Sequence, residues 1–196
     1  MSLRPLLQLG DPPHLVAIAG PNGAGKTTFY HSQVSHTGLR LVNADVLAKQ
    51  LNLAPYAAAK VAIKIRDQLV VQRESFAFET VFSDPVGEKV QFLIDAAKAG
   101  YDVTLCFVGL ASAKLSIQRV AMRVSQGGHD VPMDKLKARH PRTMNNLKLA
   151  IPKLERVIVF DQSDLRTPYR YLARFEKGKA VFLAKHTPTW LKRACP

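Results

Sequence analysis

The stretch HLVAIAGPNGAGKTTFY, residues 14–30, constrains the fold more than any other part of the chain. HLVAIA is a short apolar run that ends at a glycine, and TTFYHSQVS can continue as a helix, so the local order is strand, loop, helix. Between them GPNGAGKT, residues 20–27, occupies every fixed position of G-x-x-x-x-G-K-[ST]. Gly20, Gly23 and Gly25 let backbone N–H groups turn inward around a β-phosphate. Pro21, Asn22 and Ala24 complete the loop, and the N-terminus of the following helix adds partial positive charge. Lys26 is then placed for the β- and γ-phosphates, Thr27 for Mg²⁺ and Thr28 for the rim of the same cradle. These residues predict binding of a purine nucleoside triphosphate with Mg²⁺. ATPases, GTPases, transporters and small-molecule kinases all share such a loop, so it does not by itself identify an activity.

The pattern continues along the chain. LRLVNAD and SFAFET read as strands ending at acids, DVTLCFVGL as a strand buried on both faces, and RVIVFD as a fifth. Helices are predicted over Pro55–Glu74, with Ala58, Ala62, Ile65 and Leu69 on one stripe, over VGEKVQFLIDAAKAG, over Ser112–Ser125 and over KLKARHPRTMNNLKLA. Pro141 is expected to kink or restart the last of these. YRYLARFEKGKAVFLAK reads as a hairpin turning near Lys177–Gly178, and Trp190 in the TPTWLKRACP tail is expected to dock on the body, with binding of a partner as the alternative. Strands alternating with helices imply an α/β fold of the P-loop NTPase, nucleotide-kinase-like type: a mostly parallel five-stranded sheet, helices on both faces, arginine-bearing lid helices and a C-terminal hairpin. With 196 residues, one domain is expected: a leader over 1–13, a core over 14–160, and the hairpin and tail over 161–196.

In open parallel sheets ligands bind beyond the carboxyl ends of the strands, where Asp45 and Glu79 should both lie near the phosphate loop. A kinase needs a carboxylate that takes a proton or hydrogen bond from the attacking hydroxyl, the role assigned to Asp45. Glu79 is placed to hold acceptor hydroxyls or orient Mg²⁺ through water, with Thr80 beside it. The alternatives are a helix N-cap for Asp45, since VLAKQL follows directly, and a plain strand-end acid for Glu79. Ser112, Ser116, Arg119 and Arg123 share one helical stripe beside an apolar one, so two guanidinium groups can be aimed along its edge at a transferring phosphoryl group. Arg139 and Arg142 are expected to close over the nucleotide as a lid. For each arginine a solvated basic face is the competing reading. His129, in GGHDVP, has no Cys or His partners at metal-ligand spacing and is expected to cap a turn.

AGPNGAGKTTF, NAD, SFAFETVFS, GYDVTLCFVGL, RVAMRVSQGGHDVP and ARHPRTMNNL occur in this order over roughly residues 14 to 160. Taken together the chain resembles the zeta-toxin-like P-loop kinases, particularly the compact chromosomal branch often labelled predicted ABC-type ATPases, although it has no LSGGQ-like signature. The resemblance implies ATP-dependent phosphorylation of the amino-sugar 3′-hydroxyl of UDP-N-acetylglucosamine, and a small antitoxin protein as a partner. It implies that Lys26 is the phosphate lysine and Asp45 the base. Glu79 and Thr80 become part of the acceptor pocket. Arg119 or Arg123 becomes the first catalytic arginine, and the segment with Arg139 and Arg142 the source of the second. The chain departs from the branch at Val81 and Phe82, where ETTLS is usual, and at Ala59 and Lys60, where a GR pair is usual. The resemblance gives no counterpart for the long C-terminal extension that helps shape the sugar-nucleotide pocket in larger zeta toxins.

Twenty-eight Lys and Arg against fifteen Asp and Glu give a formal charge of +13, which implies attraction to phosphate-rich partners, whether nucleotides, nucleotide sugars, nucleic acid or an anionic membrane surface, and does not choose among them. A polynucleotide-end kinase or repair ATPase, and a non-catalytic nucleotide-dependent switch, therefore stand beside the small-molecule kinase as readings. Two cysteines, Cys106 and Cys195, make no disulfide framework and fit a reducing, cytoplasmic setting. No apolar run approaches the roughly 20 residues of a membrane span.

Overall fold

The computed structural model describes residues 7, 9–127 and 130–195. HLVAIA forms β1 (His14–Ala19), and all six of its residues are buried, as a central strand covered on both faces requires. Parallel to it lie β2 (Arg40–Val42), β3 (Phe76–Thr80), β4 (Asp102–Gly109) and β5 (Arg156–Asp161), in the order β2-β3-β1-β4-β5. The hairpin strands β6 (Arg170–Glu176) and β7 (Lys179–Leu183) add antiparallel to β5, so the five parallel strands are extended to a seven-stranded sheet. The hairpin turns where expected, at Lys177 and Gly178, with φ values of 49° and 77° that match a two-residue turn needing positive φ twice.

Strand alternation divides the core between the two faces. Leu15, Ala17, Phe78, Phe107 and Val159 pack on one side, and Val16, Ile18, Ala77, Val108 and Phe160 on the other. Burying each large apolar side chain contributes roughly 1.5–3 kcal/mol. The two-sided core therefore dominates weak local preferences, such as that of α1 (Lys26–Phe29), a single turn that continues as a wider turn to Val34 and a tight one to Thr37.

The sheet is covered by α2 (Ala44–Gln50), α3 (Pro55–Val71), α4 (Glu88–Lys98), α5 (Ala113–Ser125) and α6 (Met133–Ala150). α3 starts on Pro55, whose fixed φ suits a first helical position. Its inner stripe is Ala58, Ala62, Arg66 and Leu69; Ile65 is only partly buried, and a charged side chain takes the inward position. α6 does not restart at Pro141 but runs through it. Tertiary anchors on both sides offset the backbone bond that proline removes: His140 Nε2 lies 3.2 Å from the Leu110 carbonyl, and Thr143 Oγ1 donates to the Val81 carbonyl at 2.9 Å. His129 and its expected turn lie outside the described residues.

α7 (Thr189–Ala194) docks as expected, with Trp190 buried against Gly109 and its ring 6.2 Å from that of Phe107. The chain moves from β1 to the β2 and β3 side and then crosses back for β4 and β5. The carboxyl end of β1 is thus the switch point of the sheet, and the glycine loop occupies it.

Candidate functional site

At the end of β1 the backbone of Gly20 passes so close to β4 that a Cβ there would lie 2.1 Å from the Val108 carbonyl oxygen. Gly25 takes a left-handed conformation, φ 76°, immediately before α1. Two contacts from distant segments pin the loop between them. Ser116 Oγ, on α5, donates to the Asn22 carbonyl at 2.6 Å, and Tyr169 Oη donates to the Gly25 carbonyl at 2.9 Å. Tyr169 also hydrogen-bonds Thr28, and burial holds its phenol above the usual tyrosine range. Nothing in the sequence pattern singles Tyr169 out, because its partner lies 144 residues away.

Lys26 is buried beneath the loop. Its ammonium group donates to the Pro21 carbonyl at 3.2 Å and lies 3.7 Å from Glu79 Oε1. Desolvation pulls its pKa down; the Glu79 and Asp45 carboxylates oppose this, and Arg123 adds to it. The second Glu79 oxygen accepts from Thr27 Oγ1 and from Asn43 Nδ2, both at 2.7 Å. Glu79 is therefore the hub that ties the loop to the second strand–helix junction. Asn43 Oδ1 accepts the N–H groups of Asp45 and Val46 at 2.8 and 3.3 Å, so the N-cap of α2 is Asn43. The capping alternative for Asp45 is thereby removed. Thr80 is buried, and its hydroxyl accepts from the Phe82 N–H at 3.1 Å.

Two cavities meet at the Lys26–Glu79 pair. One, of about 270 Å³, lies under the glycine loop and is lined by Gly23, Gly25, Thr27, Arg119, Arg123 and Leu165 as well as the pair. The other, of about 290 Å³, contains Asp45, Asn43, Thr80, Arg66, Lys89 and Arg139 on the far side of the same pair. Arg119 and Arg123 thus fall beside the phosphate loop as the α5 stripe predicts, and Arg119 is fixed by donating to the Ser163 carbonyl at 3.1 Å. Arg139 and Arg142 do not act together over the loop. Arg139 lines the Asp45 cavity, whereas Arg142 turns back on its own helix, donating from Nε to the Ala138 carbonyl at 3.0 Å, and lines neither space.

The segment 161–164, DQSD, lies beside the first cavity. Asp161 accepts from Ser163 and pairs with Arg170 at 3.0 Å, and Leu165 then reaches the cavity wall. Two anchoring residues were not legible as site residues: Thr143, and Asn146, whose Nδ2 donates to the Phe82 and Asp84 carbonyls at 3.0 and 2.9 Å. They shape the loop that closes the second cavity, from more than sixty positions away in sequence. Asn43 was legible in principle, as an Asn directly before a helix. Among the described residues no cluster of three or more His, Cys, Asp or Glu could hold a metal alone. Thr27 and Glu79 offer hard oxygen atoms, a set that suits Mg²⁺ completed by water and phosphate.

The family model described as zeta toxin matches residues 44–171, a span that includes Asp45, Glu79 and the α5 arginines and begins after the glycine loop. An uncharacterized protein of Haemophilus influenzae is 27% identical over 126 residues, 62% of this chain and 88% of its own length. Among solved structures, the AvrRxo1-ORF1:AvrRxo1-ORF2 complex with sulphate ions aligns over 95% of this chain with a TM-score of 0.68 and 18% identity; the chain spans 64% of that one. A structure from the PezAT chromosomal toxin-antitoxin system of Streptococcus pneumoniae aligns over 98% of this chain and 82% of its own, with a TM-score of 0.56 and 17% identity. Identities at this level support the shared α/β architecture.

Proposed function

The chain belongs to the zeta toxin family, and on that premise we propose that it is an ATP- and Mg²⁺-dependent phosphotransferase acting on a hydroxyl of a small phosphorylated or nucleotide-sugar metabolite, with UDP-N-acetylglucosamine the leading acceptor. One observation carries this reading: two cavities share the Lys26–Glu79 pair, with the glycine loop and two arginines on one side and Asp45 on the other. A simple nucleotide switch has no use for a second cavity containing a carboxylate.

In this reading ATP lies with its phosphates in the glycine loop and its base toward Leu165 and the DQSD segment. Lys26 exchanges the Pro21 carbonyl for phosphate oxygens, and Arg119 and Arg123 meet the charge that develops on the transferring group. The acceptor hydroxyl attacks the γ-phosphorus; the new O–P bond forms as the bond to the β–γ bridging oxygen breaks, ADP leaves, and the hydroxyl proton passes to Asp45. Thr27 and Glu79 would hold Mg²⁺, which neutralises charge on the β- and γ-oxygens when bound. Thr27 Oγ1 already donates its hydrogen bond to Glu79, which leaves the hydroxyl lone pairs for the ion. A protein antitoxin belongs to the same proposal.

The test is incubation of the purified protein with γ-labelled ATP, Mg²⁺ and a panel of nucleotide sugars, nucleosides and oligonucleotides, alongside Asp45→Ala. Transfer to UDP-N-acetylglucosamine is expected, with a loss on the order of 10²–10⁴ in the variant and nucleotide binding retained. Label on an oligonucleotide end would replace the acceptor class, and an undiminished rate in Asp45→Ala would remove Asp45 from the mechanism.

A further inference from the structure

Arg66 is a charge that neither the loop chemistry nor the packing of the fold accounts for. It occupies the inner stripe of α3 at 9% exposure. Its guanidinium carbon lies 4.7 Å from the centroid of the Phe78 ring and 5.0 Å from that of Phe92, two rings nearly perpendicular at 83°. These faces fix the guanidinium plane and attract its charge, but they give its N–H groups no oxygen acceptor. Arg66 Nε is sealed from solvent without a hydrogen-bond partner, and among the described residues no carboxylate comes within ion-pair distance of this side chain, Asp67 next to it in sequence acting on its charge only at longer range. A methionine or leucine would fill the space between the rings without that desolvation cost, so packing is not a sufficient reason for arginine.

The second cavity supplies the reason. Arg66 lines it with Asp45, Lys89 and Arg139. Lys26 is engaged by Glu79 and Pro21, and Lys89 by Asp84 at 3.6 Å. Arg66 and Arg139 are left as two cations facing the single carboxylate of Asp45, a local excess that suits an anion. We propose that Arg66 forms an oxyanion subsite: its fork takes two oxygens of a phosphate group on the acceptor, and so selects phosphorylated acceptors over neutral polyols. The word acceptor rests on the phosphotransferase reading, whereas the subsite itself is a statement about anion binding.

The experiment titrates inorganic phosphate calorimetrically into the wild type, Arg66→Met and Arg66→Lys, each with the glycine loop saturated by a non-hydrolysable ATP analogue and Mg²⁺. A phosphate-binding event is expected in the wild type, weakened about ten-fold or more in Arg66→Met and by less in Arg66→Lys, which keeps the charge but not the fork. Absence of phosphate binding in the wild type, or equal affinity in all three proteins, overturns the subsite. If Arg66→Met does not fold, Arg66→Lys decides alone, and unchanged affinity there overturns it. Should the ATP analogue fail to bind, the nucleotide reading falls by itself; the same titration in a Lys26→Ala background, with and without Arg66→Lys, still decides the subsite.

Discussion

Asn43 makes two commitments with one side chain: its oxygen caps α2 and its amide N–H holds Glu79. The two can be separated by substitution. Asn43→Ala removes both, and loss of the cap costs about 0.5–2 kcal/mol. Asn43→Asp keeps a capping oxygen but sets a carboxylate where Glu79 now finds a donor, so Glu79 loses its orientation. Both variants are expected to lose phosphotransfer, while only the alanine variant loses the cap contribution in urea unfolding. Full activity in Asn43→Asp would show that Glu79 needs no such anchor. Read as sequence, NAD draws attention to Asp45, because a strand-end acid suggests a base and an asparagine suggests only a turn. Arg66 was not singled out, because the apolar stripe of α3 reads through Ile65 and only the fold turns Arg66 inward. The rings that hold it come from β3 and α4.

The strands were the most legible elements, since parallel strands buried on both faces must be near-continuous apolar runs, as HLVAIA and RVIVFD are. α6 was the least, because what carries it past Pro141 is tertiary: His140, Thr143 and Asn146 tie it to the ends of β4 and β3. The His140 tie predicts a pH dependence. Burial pulls the imidazole pKa below its ordinary 6.5, with the Leu110 carbonyl opposing. The unfolded chain therefore takes up this proton first as pH falls, and the stability contribution is complete above pH 6.5 and lost as pH drops through the lowered folded value. Urea midpoints at mildly alkaline and mildly acidic pH should fall further in the wild type than in His140→Gln, which can still donate to Leu110 but does not titrate. Parallel losses in the two proteins would assign the acid sensitivity elsewhere.

Across the whole molecule, the end of β4 is shared by structure and site. Val108 closes against Gly20 of the phosphate loop on one side, and Gly109 receives the Trp190 ring of α7 on the other. A Cβ on Gly109 would lie 2.2 Å from the indole, a contact that must push the tail off or shift the strand that supports the loop. Gly109→Ala is therefore expected to destabilise by about 1–3 kcal/mol through overpacking. Trp190→Ala should cost roughly 3–5 kcal/mol through the space it opens. The two changes should not add: once the indole is gone the new methyl group enters the vacated space, so the double variant should be no less stable than Trp190→Ala alone. Additive losses in thermal unfolding would mean that the methyl group strains β4 itself. In that case Gly109→Ala should also weaken nucleotide binding, since the strand it distorts is the one against which Gly20 is packed.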